Sequence, residues 1–262
     1  MRRGTLITLL IATAFGLLTA QGASAAVTSD LAAPDKKEVA NQILSSNENS
    51  SLDWRAQYRY IEDIGDGRGY TAGTVGFTSG TGDMLQLVRA YTATKRKNPL
   101  RRFLGGLKRV NGSDSHAGLG KRFVKAWRKA ARDPVFQAAQ DAVRDSLYFN
   151  PAVGLAKGDG LNALGQFCYY DAAVVHGFIG AQRIRGRALA KAVQPSAGGD
   201  EAAYLSAFLD ERRVEMLKEK AHSGNNIQRV DLEQRRFLTE GNLDLHLPLS
   251  WTVNSDPFTI SG

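Results

Sequence analysis

The sequence predicts a mainly α (α+β) body of enzyme size, with one small β element. Apolar residues recur at helical spacing through most of 35–240, whereas one Gly-rich stretch, 64–83, places β-branched and aromatic residues between glycines. A chain of 262 residues with 43% apolar side chains is long enough to bury a substantial core. Cys168 is the single cysteine, so there is no intramolecular disulfide, and no CxxC or Cys/His cluster offers a zinc site. Core packing and polar pairing must hold the fold.

Residues 1–25 read as a signal peptide. Arg2 and Arg3 form a positive start, 5–18 form an apolar run of 14, and Ala23-Ser24-Ala25 supplies the small-x-small cleavage pattern. As a helix that run covers roughly 21 Å, short of the ~30 Å hydrocarbon core. No later stretch is long or apolar enough to span. A secreted chain of residues 26–262, with no membrane attachment after leader removal, is expected.

The first helix is predicted over 35–48, opened by Pro34-Asp35, with Val39, Ala40, Ile43 and Leu44 at helical spacing. The seven glycines of 64–83 then predict short strands and turns, in a hairpin or three-stranded sheet. Helices follow over 83–95, 99–109, 121–132, 134–147, 151–176, 183–192, 200–221 and 229–240. The tail 243–262 reads as irregular or extended. No repeat or Pro/Ser-rich linker divides the chain.

The net charge of +8 falls to +6 when Arg2 and Arg3 leave with the leader. Such an excess suggests a polyanion, but its distribution argues against nucleic acid as the partner. Residues 48–83 hold six acids and three bases, whereas 95–132 hold thirteen bases and one acid, Asp114. Within the second block, Phe123 and Trp127 lie four apart among basic residues. A basic amphipathic surface helix is the simpler explanation of that pattern; an anion-binding or membrane-surface face is the sharper alternative that the sequence leaves open.

Charged residues interrupt three apolar stripes. Glu48 lies four residues beyond Leu44, on or beside the buried face of the first helix. Desolvation there favours the protonated carboxyl that a general acid requires, unless the side chain turns to water. The stripe 164, 168, 171, 175 reads Leu, Cys, Asp, Val, and 205, 209, 212, 216, 219 reads Leu, Leu, Arg, Met, Glu. Asp171 and Arg212 therefore face the interior from different helices. Unpaired burial is too costly, so they are expected to pair, as structural glue or as support for a site. Asp66, between Gly65 and Gly67, has no bulky neighbour and is expected to be exposed and ionised, as a base requires. One protonated and one ionised carboxyl is an arrangement used in glycoside hydrolysis.

Competing motifs fail. Gly65-Asp66-Gly67-Arg68-Gly69 is not GxGxxG, and the twelfth position from Asp63 is Thr74 where a calcium loop needs Glu. There is no GxSxG, HExxH or Walker sequence, and His116, His176, His222 and His246 are scattered.

Several blocks together resemble the secreted bacterial family 46 chitosanases. They are Glu48-Asn49-Ser50-Ser51-Leu52-Asp53-Trp54, Tyr60 through Thr71 (YIEDIGDGRGYT), and Gly76-Phe77-x-Ser79-Gly80-Thr81-Gly82-Asp83. Ala163 through Phe167, Tyr169-Tyr170-Asp171, Gly198 through Glu201, Arg229-Val230-Asp231 and Gly241 through Leu245 extend the likeness along residues 26–262.

The resemblance implies a lysozyme-like fold, a single catalytic domain of two mostly helical lobes flanking a cleft, with a small sheet in one lobe. It implies inverting endo-hydrolysis of β-1,4-linked glucosamine polymers. By position Glu48 would be general acid and Asp66 general base, with Thr71 helping to hold the attacking water. Arg68, Asp83 and Glu219 would bind substrate, and Arg229, Asp171 and Arg212 would continue a charge network from Asp66. Chitosan would be the partner, no cofactor or metal is implied, and a monomer is expected. Because that substrate is a polycation, the cleft should be locally acidic and binding salt-sensitive. The basic 95–132 block and the stretch after His176-Gly177 depart from the family pattern. Two alternatives stay open: a lysozyme-like hydrolase of peptidoglycan or chitin, and a non-catalytic basic protein that binds anionic polymers.

Overall fold

A computed structural model describes residues 29–218 and 224–262; the leader 1–25 and Glu219 lie outside them. Helix α1 (Pro34–Asn49) starts on a proline, whose missing N–H costs nothing at the first helical position. It buries Val39, Ala40, Ile43 and Leu44 and ends at left-handed Ser50, whose N–H donates to the Ser46 carbonyl at 3.1 Å. A 3-10 helix, Trp54–Arg59, follows, capped by the Asp53 side chain.

The Gly-rich segment forms a three-stranded antiparallel sheet in sequential order: β1 (Ile61–Asp63), β2 (Tyr70–Ala72) and β3 (Phe77–Thr78). Glycine is required at 69. Its φ is +74°, and a Cβ there would sit 2.4 Å from Ser79 Oγ, the atom that accepts the Tyr70 N–H.

Four helices follow: α2 (Asp83–Thr94), α3 (Leu104–Val110), α4 (Gly120–Ala130) and α5 (Pro134–Arg144). Helix α4 turns Phe123 and Trp127 fully into the core, and its Lys and Arg side chains face solvent. Trp127 Nε1 donates to the Tyr58 carbonyl at 3.1 Å, fastening α4 to the segment before β1. A π-helical turn, Asp145–Phe149, leads into α6 (Asn150–Gly158).

The helix expected over 151–176 is in fact two. The chain turns at Asp159 and restarts as α7 (Ala163–Leu189), which also absorbs much of the helix expected over 183–192. Asp159 explains the break: buried at the turn, it accepts two bonds from Arg185 at 2.5–2.6 Å and one from Tyr169 at 2.8 Å. Within α7, Gly177 leaves helical geometry (φ 69°, ψ 160°), so the helix bends where it meets the cleft described below.

Helix α8 (Glu201–Leu217) packs on α7; a second π-helical turn, Arg229–Gln234, and α9 (Arg235–Thr239) come next. The tail takes the extended form of the two that its sequence allowed: β4 (Leu249–Val253) and β5 (Asp256–Ile260) pair as a hairpin. Its buried Trp251 donates to Ser46 Oγ at 3.0 Å and ties the hairpin to α1. No helix of the described residues is long and apolar enough to cross a membrane.

Candidate active site

The end of α1, the sheet, the start of α2, the bend in α7 and the turn before Arg229 line one cleft of about 620 Å³. Glu48, Asp66, Thr71, Arg68 and Asp83 all reach it from three different elements and the loop between them. So does Arg229, whereas Asp171 and Arg212 lie wholly buried behind it.

Glu48 sits beside the buried stripe of α1, not on it. Asn47 is buried, while about 25% of the Glu48 side chain is exposed to the cleft. Nor is the carboxyl isolated: Arg229 Nη2 donates to Oε1 at 2.7 Å. Arg229 is itself buried and also donates to Asp171 Oδ1 at 3.2 Å. Asp171 pairs with Arg212 at 2.6 Å, as the two helical stripes suggested, and both are fully buried. Gln234 bridges them, donating to Asp171 Oδ2 at 2.8 Å and accepting from Arg212 Nη1 at 2.9 Å. Burial alone would raise the Asp171 carboxyl, but the Arg212 and Arg229 guanidiniums hold it below the ordinary carboxylate range.

This chain of charges starts from Glu48. The resemblance implied that it would continue from Asp66, but among the described residues Asp66 is joined to Arg68 instead. The Arg68 N–H donates to Asp66 Oδ1 at 3.0 Å, and its guanidinium donates to Oδ2 at 2.6 and 2.8 Å. Only 10% of the Asp66 side chain is exposed, so it is less open to solvent than its glycine neighbours suggested. Those glycines let the loop fold back so that Arg68 covers its own neighbour's carboxylate.

Thr71, in β2, has a buried hydroxyl with no hydrogen-bond partner among the described residues. Asp83 opens α2 and is held rigidly. Its Oδ1 accepts from Thr78 N–H, Thr81 Oγ1 and Met84 N–H at 2.7–2.9 Å, and Oδ2 accepts from Tyr148 at 3.1 Å. Burial raises its carboxyl above the ordinary value, against those hydrogen bonds.

Sequence reasoning missed three participants. Tyr148 comes from the π-helical turn, which no periodicity marks, and Gln234 is an amide in the second such turn. Glu233 is wholly buried, accepts from Asn47 Nδ2 at 3.2 Å, and is pushed well above the carboxylate range by burial and then by Asp171. No signal short of the fold would have found it. Among the described residues no group of three or more His, Cys, Asp or Glu could hold a metal ion.

Two carboxylates in one cleft, each fixed by an arginine, fit acid–base cleavage of a bond lying between them. Comparison with known proteins points the same way. Residues 42–249 match the sequence profile of glycosyl hydrolase family 46. The chain is 57% identical over 235 residues to a chitosanase of Streptomyces sp. (strain N174), covering 87% of this chain and 83% of that one. It is 37% identical over 229 residues to a chitosanase of Bacillus subtilis (strain 168), covering 82% and 81%. A chitosanase co-crystallised with substrate superposes with a TM-score of 0.86 at 54% identity, over 89% of this chain and all of that one. On sequence and structure alike, the chain belongs to glycosyl hydrolase family 46.

Proposed function

We propose that the protein is an endo-acting chitosanase that hydrolyses β-1,4 bonds between glucosamine residues with inversion. The observation that carries this is the placement of Glu48 and Asp66 in one cleft, each held by its own arginine. Asp66 takes a proton from a water, aided by the unpartnered Thr71 hydroxyl, and the resulting oxygen bonds to the anomeric carbon. Glu48 protonates the departing glycosidic oxygen as its bond breaks. Arg229 donates to Oε1 of Glu48, which leaves Oε2 to carry the transferable proton. Glucosamine lacks the N-acetyl group that would assist from within the substrate, so both groups must come from the enzyme.

Asp83 and Arg68 bind sugar in this reading, and Glu219 is assigned with them. The Asp171–Arg212–Arg229 cluster positions Glu48. Within the cleft Arg229 is already committed to two carboxylates, which leaves the lining acidic toward an ammonium-bearing polymer. The chain would act outside the cell as a monomer after losing residues 1–25, as a single domain of two lobes.

The test is reducing-end release from chitosans of graded acetylation, for wild type, Glu48→Gln and Asp66→Asn. Rates rising with deacetylation and lost in both variants support the reading. Release confined to peptidoglycan or chitin would overturn it.

A further inference from the structure

A second concavity, of about 880 Å³, shares no lining residue with the cleft. Arg96, Lys97, Arg101 and Arg102 line it together with Arg122, Lys125 and Lys129 of α4, and no acidic residue does. All seven are exposed, and none forms an ion pair among the described residues. A neighbouring groove of about 550 Å³ shares Arg102 and Arg122, so the cationic surface continues as a track.

The walls are fixed in advance. Asn98 donates to the Lys95 carbonyl at 2.7 Å and accepts from the Leu100 and Arg101 N–H groups at 2.9 Å, locking the loop that presents Arg96, Lys97 and Arg101. The Arg102 guanidinium lies 4.8 Å from the Phe103 ring centroid. Cations lining one groove without counter-charges repel one another, and an anionic ligand removes that cost by releasing their counterions. The track would repel a glucosamine polymer, so it is no extension of the substrate cleft.

We propose that this track binds a flexible polymer whose charge is carried on phosphate groups. Four of the seven cations lining the larger groove are arginines, whose forked donors match phosphate oxygens in pairs. Phe123 and Trp127 point into the core and no aromatic side chain lines the larger groove, so there is no platform for stacking bases. None of the exposed large apolar side chains lies in either groove, which argues against a membrane surface. The inference does not depend on the catalytic assignment.

The test is fluorescence anisotropy of the full chain with labelled inorganic polyphosphate and with poly(glycerol phosphate), the two arms distinguishing the source of the phosphate. Polyglutamate and a single-stranded oligonucleotide serve as comparators. Binding of either phosphate polymer should weaken log-linearly with salt. It should fall at least tenfold in Arg101→Gln/Arg122→Gln/Lys125→Gln, with hydrolysis of short glucosamine oligomers unchanged. The matching triple change to Glu should lose more. Unaltered affinity in both variants, equal affinity for polyglutamate at equal charge, or tighter binding of the oligonucleotide would overturn the proposal.

Discussion

Arg229 Nη2 lies 2.7 Å from Glu48 Oε1, although the two residues are 181 positions apart. Behind it, Asp171 takes the other arm of the same guanidinium at 3.2 Å. The orientation of a cleft carboxyl thus rests on a buried cluster of charges, and this relationship can be tested apart from the chemistry.

Arg229→Lys keeps the charge but loses the fork that spans two carboxylates. A fall in kcat of about ten- to a hundredfold with little change in KM is expected, since misplacing a reacting group costs roughly this much. Arg229→Ala should in addition destabilise the fold by about 3–5 kcal/mol, because Asp171 loses a buried partner. Steady-state kinetics beside thermal unfolding separate the two effects.

Asp171→Asn should cost a similar amount at neutral pH by leaving Arg212 and Arg229 under-compensated. The sign of its pH dependence follows from a carboxyl held below its ordinary value. Its stabilising contribution is present above the unfolded pKa of about 3.9 and is lost as pH falls through the lower folded value. Wild type should therefore lose more stability than Asp171→Asn between pH 5 and strong acid, measured by denaturant unfolding.

Glu233 titrates in the opposite sense. A buried carboxyl raised well above its ordinary value stabilises the fold below the unfolded pKa of about 4.3, and that contribution disappears as pH rises toward the folded value. Glu233→Gln keeps an oxygen to accept from Asn47 and removes the ionisation. Unfolding curves should show the variant at least as stable as wild type at pH 7 and relatively weaker near pH 4.

Tyr148→Phe removes one donor to Asp83 while leaving the three that hold Oδ1. A loss of about 1 kcal/mol in binding, several-fold in KM, is expected with kcat nearly unchanged. Initial rates over a range of oligomer concentrations check this.

Most helices and the Gly-rich sheet were legible because periodicity and glycine placement are local signals. The Asp171–Arg212 pair was legible for a related reason: each charge interrupts an apolar stripe, and burial leaves pairing as the affordable outcome. What escaped was set by tertiary contact. The turn at Asp159 depends on Arg185 and Tyr169, both later in the chain, so 151–176 reads locally as one helix. The Asp66 clamp uses a residue two positions away, yet only the loop's folded shape brings Arg68 back over the carboxylate. Glu48 belongs to a charge cluster because Arg229 comes from a π-helical turn that helical spacing does not mark.

The most direct measurement of the central claim is the anomeric configuration of the first product, followed by proton NMR during cleavage of a glucosamine oligomer. A base-activated water attacking opposite the leaving group predicts α-configured reducing ends at the earliest times, with β appearing only by mutarotation. Initial β product would mean retention through a covalent intermediate, and would contradict the assignment of Asp66 as a base acting on water.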